Sequence, residues 1–220
     1  PPGYVDDVRA LAERLERAVE AEDGTRLTAM AVSFNEVADR MADVADIFAL
    51  NLYFGWYHDT FADLGTFLDS LHAAHPRVPL MLSEYGAGSD ERIHADRPVR
   101  FDFSTEHAED FHRASFRIVR DRPWLAGSAV WNQFDFGSAL RQDTKDGINQ
   151  KGLHRYDRAP KDAAFLYRTV LLDEPVIWVE RDHVHRAGPR RQRVRVFSNA
   201  DRVGLRLDGR PVGAAAPVDG

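Results

Sequence analysis

The stretch Val78-Pro79-Leu80-Met81-Leu82-Ser83-Glu84-Tyr85-Gly86-Ala87-Gly88 decides the fold. An apolar run of strand type ends abruptly in a carboxylate, an aromatic and a group of small residues. Near-continuous hydrophobic runs are how strands buried on both faces of a parallel sheet are written. Barrel enzymes keep their chemistry at the C-terminal ends of such strands, which makes Glu84 the first candidate for acid–base or nucleophilic work. A glutamate that simply meets water at a strand end is the plain alternative. Gly86 and Gly88 are expected to let the following backbone turn tightly and come close to a ligand.

Working outward, the same grammar repeats. Val8, Leu11, Leu15, Ala18 and Val19 recur at helical spacing and predict an amphipathic helix over 6–21, stopped by Asp23-Gly24. Leu27 to Val32 and Ile47 to Tyr53 read as buried strands, with a short helix opened by Asn35-Glu36 between them. Phe61, Leu64, Phe67, Leu68 and Leu71 predict a helix over 60–75 that Pro76 terminates. After Gly88 a polar stretch, 89–104, lacks periodicity, and loops of that length are usually functional or mobile. Phe111, Ser115, Ile118 and Val119 mark another helix, 127–134 a fourth strand, and 161–172 a last helix with Ala164, Phe165 and Thr169 inward. Strand–helix alternation of this kind is the signature of βα units and a parallel sheet. Past Pro175 the pattern becomes short strands, 176–179, 193–198 and 203–207, with a hairpin signal at Asp208-Gly209. About 45 residues are too few for a sandwich of roughly 100, so this second domain reads as truncated.

Composition agrees with a globular α/β protein: 44% hydrophobic and 29% charged over 220 residues. A net charge of −6 argues against a nucleic-acid partner. Without cysteine there is no disulfide framework, thiol nucleophile or thiolate metal site, and no run reaches the roughly 18 apolar residues of a membrane span. The opening Pro1-Pro2-Gly3-Tyr4 is not a signal peptide and reads as a loop entered in mid-protein. No cofactor and no metal is expected. His183 and His185 could share a strand face, but without a third ligand a solvated face is the simpler reading. Arg186, Arg190, Arg191, Arg193 and Arg195 read as a charged hairpin edge. His72 and His75 read as surface residues near a helix end.

Three strand ends carry residues suited to a sugar: Asn51, Tyr53, Trp56 and Tyr57; Glu84 and Tyr85; Trp131, Asn132 and Asp135. Aromatic faces cover the C–H surface of a sugar ring, while amides and carboxylates bind its hydroxyls. Taken singly, each could equally plug a barrel rim; their coincidence at successive strand ends favours a site.

The segments 51–57 (Asn-Leu-Tyr-Phe-Gly-Trp-Tyr), 83–88 (Ser-Glu-Tyr-Gly-Ala-Gly), 130–136 (Val-Trp-Asn-Gln-Phe-Asp-Phe) and 147–153 (Gly-Ile-Asn-Gln-Lys-Gly-Leu) resemble glycoside hydrolase family 2. Residues 198–203 and 207–209 resemble the immunoglobulin-like domain that follows the barrel in many members. The resemblance implies that residues 1–173 are strands five to eight, the second half of a (β/α)₈ TIM barrel. Residues 174–220 would begin an all-β immunoglobulin-like sandwich. It implies a retaining exo-β-glycosidase with Glu84 as nucleophile, acting with a second carboxyl about 5–5.5 Å away. Tyr53 or Tyr57 would hydrogen-bond the nucleophile, Trp131 would floor the sugar pocket, and Asn149 and Lys151 would grip a substrate hydroxyl or carboxylate. His94 would lie near the site.

Glu36 is not expected to be the acid/base partner. Only one strand lies between Glu36 and Glu84, where the family pattern has two, so Asn35-Glu36 reads as a helix cap and the partner is expected upstream of Pro1. The resemblance implies a β-linked oligosaccharide or galactoside as substrate. Gly86-Ala87-Gly88 with His94, and Asp157-Arg158 with Lys161-Asp162-Ala163-Ala164, look closer to the β-galactosidase branch; a β-glucuronidase, or a non-catalytic carbohydrate-binding fragment, is the alternative. Half a barrel leaves sheet edges open, which predicts self-association of the chain.

Overall fold

The computed structural model describes residues 3–33, 39–141, 143–144, 147–180 and 195–216. Asn35-Glu36, His183, His185 and the arginines from 186 to 193 lie outside these.

Four strands, β1 (Ala29–Val32), β2 (Ile47–Asn51), β3 (Leu80–Tyr85) and β4 (Leu125–Val130), form one sheet in the order β1-β2-β3-β4. Every pairing in it is parallel, with Val32 opposite Leu50 and Leu82 opposite both Leu50 and Ser128. Helix α1 (Tyr4–Glu22) precedes β1, α2 (Phe61–Ala74) joins β2 to β3, and α3 (Thr105–Arg120) joins β3 to β4. This is the sequential order a partial (β/α)₈ barrel requires.

The apolar runs explain the interior. Phe48, Leu50, Leu80 and Leu82 are buried in the central strands, and Leu64, Leu68 and Leu71 come off α2 at i, i+4 and i+7 to meet them. Asp63 ties down the start of α2 by accepting from the Thr60 backbone N–H (2.9 Å) and hydroxyl (2.6 Å). Ser104 caps α3 by accepting from the His107 N–H at 3.2 Å. Helix α3 therefore starts well before Phe111. Its first turns bury Glu106, His107 and Glu109, which carry no apolar periodicity to read.

The two edges behave differently from the centre. On β4, Ala126, Ser128 and Ala129 are exposed, as are Ala29 and Ala31 on β1. Helix α1 rests Val8 and Ala12 on the core but leaves Leu11, Leu15 and Val19 exposed. The sequence-predicted fourth strand also ends early. After Val130 the chain leaves the sheet, and Asn132 pairs instead with the 150s: its N–H donates to Lys151 O (3.1 Å) and its carbonyl accepts from Leu153 N–H (2.9 Å). The loop expected over 135–153 contains a small antiparallel pair, β5 (Phe136–Gly137) with β6 (Ile148–Asn149).

Helix α4 (Asp162–Leu171) is followed by β7 (Ile177–Val179), β8 (Val196–Ser198), β9 (Val203–Leu207) and β10 (Arg210–Ala215). These four pair antiparallel as β7–β8 and β9–β10. Trp178 stacks on Phe165 of α4 with centroids 3.7 Å apart and donates its indole N–H to Asp162 at 2.7 Å. The β9–β10 hairpin turns at Asp208 (φ 48°) and Gly209 (φ 78°), the paired positive φ values of a type I′ turn. His72 and His75 are not the free surface residues the sequence suggested. His72 stacks on Trp124 at 4.1 Å, and His75 Nε2 sits 2.7 Å from Asp39.

Candidate active site

Glu84 stands near the C-terminal end of β3, opposite Asn51 at the end of β2, where the register shifts by a bulge. The Leu52 N–H donates to the Glu84 carbonyl at 2.8 Å, fixing the two strand ends against each other. Tyr53 hydroxyl donates to Glu84 Oε2 at 2.7 Å. Burial first, and then the neighbouring carboxylate, push the Tyr53 phenol well above its usual range, so Tyr53 stays a donor. Ser83 hydroxyl donates to Asn51 Oδ1 at 2.7 Å.

A second cluster adjoins the first. The Tyr53 and Tyr57 rings meet edge-on with centroids 5.3 Å apart. The Tyr57 hydroxyl accepts from Lys151 Nζ at 2.9 Å and from an Arg141 amine at 3.1 Å. Burial, the largest single influence, raises the Tyr57 phenol, but the two cations outweigh it and leave it below its ordinary value. Lys151 is only 2% exposed, and burial lowers its ammonium despite the Tyr57 contact. Its Nζ also lies 5.0 Å from the Trp56 ring centroid and 4.7 Å from that of Tyr57, within cation–π range. Asn149 Oδ1 accepts from the Lys151 N–H at 3.1 Å, so the Asn-x-Lys turn is locked internally. Because Tyr57 accepts twice, its own proton remains to be donated, and Tyr57 is 45% exposed. The arrangement is a charge-assisted donor with two cations behind it, suited to an anionic group.

The expected residues divide accordingly. Glu84, Tyr53, Tyr57, Asn51, Asn149 and Lys151 converge. Trp131 lies beside them: its N–H donates to the Tyr85 carbonyl at 2.9 Å, and its ring packs edge-on against Phe136. Gly86 serves by closeness of approach; a Cβ there would lie 2.1 Å from the Trp131 carbonyl oxygen. Trp56 is fully buried (0%) among Phe101, Phe103 and His107, so it supports the loop and has no face for a sugar. Tyr85 turns inward to Tyr167, whose hydroxyl donates to it at 3.1 Å. His94 is held at 3.0 Å from Glu106 and 3.2 Å from the Thr105 hydroxyl, at the start of α3. Asp135 is buried against Lys161 (2.8 Å), not presented to a ligand. Arg141 was not foreseen: it lies in a loop without periodicity, and only folding brings it to Tyr57. Among the described residues no three His, Cys, Asp or Glu side chains are grouped to hold a metal.

A parallel βα sheet with a tyrosine-tethered carboxylate at a strand end, ringed by aromatics and amides, defines a carbohydrate-active barrel. The chain belongs to glycosyl hydrolase family 2. Residues 3–173 match the model described as Glycosyl hydrolases family 2, TIM barrel domain. Among curated relatives, a β-glucuronidase of Bacteroides fragilis is 33% identical over 217 residues, covering 95% of this chain and 30% of its own length. The human β-glucuronidase is 30% identical over 66% of this chain and 23% of its own length. Among solved structures, a Bacteroides uniformis β-glucuronidase superposes with a TM-score of 0.90 at 36% identity, over 99% of this chain and 27% of that one. The chain thus spans less than a third of the length of these curated relatives.

These relatives carry the name β-glucuronidase, against the lean toward the galactosidase branch. Two of the residues behind that lean are not presented to a sugar: Asp157 pairs with Arg155 at the surface, and Lys161 is buried in an internal ion pair. A Bacteroides fragilis protein described as a candidate β-galactosidase, 24% identical, shares the fold.

Proposed function

We propose that residues 3–173 are the nucleophile-bearing half of the barrel of a retaining β-glucuronidase, with an immunoglobulin-like domain beginning near residue 174. The observation that carries the sugar preference is the pair of cations, Lys151 and Arg141, meeting on the hydroxyl of Tyr57. A galactoside offers no anion to such a group; a glucuronide offers its carboxylate. A related B. uniformis β-glucuronidase, 37% identical with TM-score 0.89, has been solved covalently bound to cyclophellitol-6-carboxylate aziridine. That adduct supports both a covalent route and a uronate.

In this reading a Glu84 oxygen attacks the anomeric carbon as the bond to the leaving oxygen breaks. A carboxylic acid supplied from outside this chain protonates that oxygen. Water activated by the same residue then displaces Glu84, giving net retention. Tyr53, donating to Oε2, holds the carboxylate in line and releases it as the glycosyl bond forms on it. Asn51, Asn149 and Trp131 bind hydroxyls and the ring face. On this reading the chain contributes one of the two required carboxyls, and by itself it is expected not to turn over.

The test compares an aryl β-glucuronide and the matching aryl β-galactoside on the intact protein that carries this chain. The expected result is preference for the glucuronide and a loss of about 10³-fold or more in Glu84→Gln. Preference for the galactoside would remove the uronate reading; activity of Glu84→Gln within tenfold of wild type would remove the nucleophile.

A further inference from the structure

We propose that Lys161 is a positioning residue that sets the selectivity for a uronate, by clasping three separate segments of the site to one another. The inference rests on the glucuronide reading and names what holds the carboxylate-binding turn in place. Lys161 is the N-cap of α4 and only 3% exposed. Its ammonium donates to Ser89 O (2.9 Å), Asp135 Oδ1 (2.8 Å) and Gln150 O (3.0 Å). An ammonium has three protons, and each has a partner here.

Each acceptor comes from a different part of the site. Ser89 follows the loop behind Glu84, Asp135 ends the segment that begins at Trp131, and Gln150 stands between Asn149 and Lys151. The clasp is cross-braced. The Ser89 N–H donates to the Gln150 carbonyl at 3.0 Å, and Gln150 Nε2 donates to Asp90 at 3.1 Å. Asp135 Oδ1 also accepts from the Gly152 N–H at 2.9 Å. The Asn-x-Lys turn is thus fixed from both sides through its middle residue.

Stability alone is a poor reason for this ion. Burial lowers the Lys161 ammonium and raises the Asp135 carboxyl, with their mutual attraction opposing both. Buried pairs are often no more stabilising than apolar replacements of the same volume. What a three-way donor supplies, and a methionine cannot, is a fixed spacing between one carboxylate and two backbone carbonyls on three separate segments. A displacement of about 1 Å in a binding group can cost on the order of 10²-fold in rate.

The experiment measures kcat and KM of the intact protein with an aryl β-glucuronide and the aryl β-glucoside of the same aglycone, for wild type and Lys161→Met. The expected outcome is that the ratio of the two kcat/KM values falls about tenfold or more, chiefly through KM for the glucuronide. Loss of both substrates in equal proportion, or an unchanged ratio, overturns the proposal. If Lys161→Met does not melt cooperatively, Asp135→Asn, which keeps the shape of the partner, is read by the same ratio with the same criteria. A wild type without uronate preference sinks the glucuronide reading and this proposal with it. A wild-type preference that both variants preserve sinks this proposal alone.

Discussion

At the residue scale the proposed preference for a glucuronide turns on Tyr57. Its hydroxyl accepts from Lys151 and Arg141, so replacing it with phenylalanine removes the exposed donor and leaves two cations facing a hydrocarbon ring. Hydrogen bonds to charged groups contribute about 1.5–3 kcal/mol, which predicts a fall of roughly 10- to 100-fold in kcat/KM for a glucuronide in Tyr57→Phe. A neutral glycoside should change far less, and steady-state kinetics on both substrates checks this. A pH dependence follows from the same group. Burial lowers the Lys151 ammonium, so its charge is present below that lowered value and lost as pH rises through it. Tyr57, also below its ordinary value, becomes an anion early and then repels a carboxylate. Both effects place the alkaline loss of glucuronide kcat/KM below the usual lysine and tyrosine range, and earlier than for a neutral glycoside. Coincident alkaline limbs for the two substrates would contradict it. Glu84 stood out as a carboxylate at a strand end, the family resemblance added Tyr53, Asn149 and Lys151, and the structure brings the four together through Tyr57. Trp56, Tyr85 and Asp135 were misassigned because an aromatic or acid at a strand end looks the same in sequence whether it faces a ligand or turns into the core. Arg141 reaches Tyr57 across 84 residues of chain, and no periodicity announces such a contact.

At the scale of elements the βα units were legible to within a few residues at most ends, because periodicity, Pro76 and the Asp23-Gly24 stop act locally. Two features were hidden. The first turns of α3 bury polar residues, and the fourth strand ends at Val130 because the chain must leave the sheet to pair with the 150s. Gly86 marks that junction. A methyl group there would meet the Trp131 carbonyl at 2.1 Å, a backbone atom that cannot swing aside. Gly86→Ala is therefore expected to displace Trp131 and the strand end that carries Glu84, the proposed nucleophile, together. Overpacking of this kind costs about 1–3 kcal/mol, and a misplaced nucleophile about 10²-fold in rate. Denaturant melts and kcat on the intact protein should show both losses. Full activity with unchanged stability would mean that the junction yields without cost.

For the whole molecule, the decisive fact is a four-stranded parallel sheet with two edges. Parallel sheets are ordinarily covered on both faces and closed or flanked at their ends. Among the described residues β1 and β4 each pair on one side only, and alanines and a serine along them are exposed. Helix α1 shows the same deficit in its sequence register. The apolar positions that predicted a buried stripe, Leu11, Leu15 and Val19, are about half exposed, with Leu15 at 58%. The periodicity predicted the helix, but among the described residues no surface covers these three positions, and only Val8 and Ala12 pack on the core. Apolar burial contributes roughly 25 cal/mol per Å², and a contiguous stripe of leucine and valine left in water favours association. The 220-residue chain is therefore expected to self-associate in the micromolar range, visible as a concentration-dependent sedimentation coefficient. Replacing Leu11 and Leu15 by glutamate should weaken that association, since two charges on the helix face must be desolvated to form the contact. Helicity by circular dichroism should stay unchanged, because both positions are solvent-facing in the monomer. A chain that sediments as a monomer at all concentrations and melts cooperatively would show that the open edges and the α1 stripe are tolerated in water. A double variant that associates as strongly as the parent chain would shift the contact from α1 to the edges of β1 and β4.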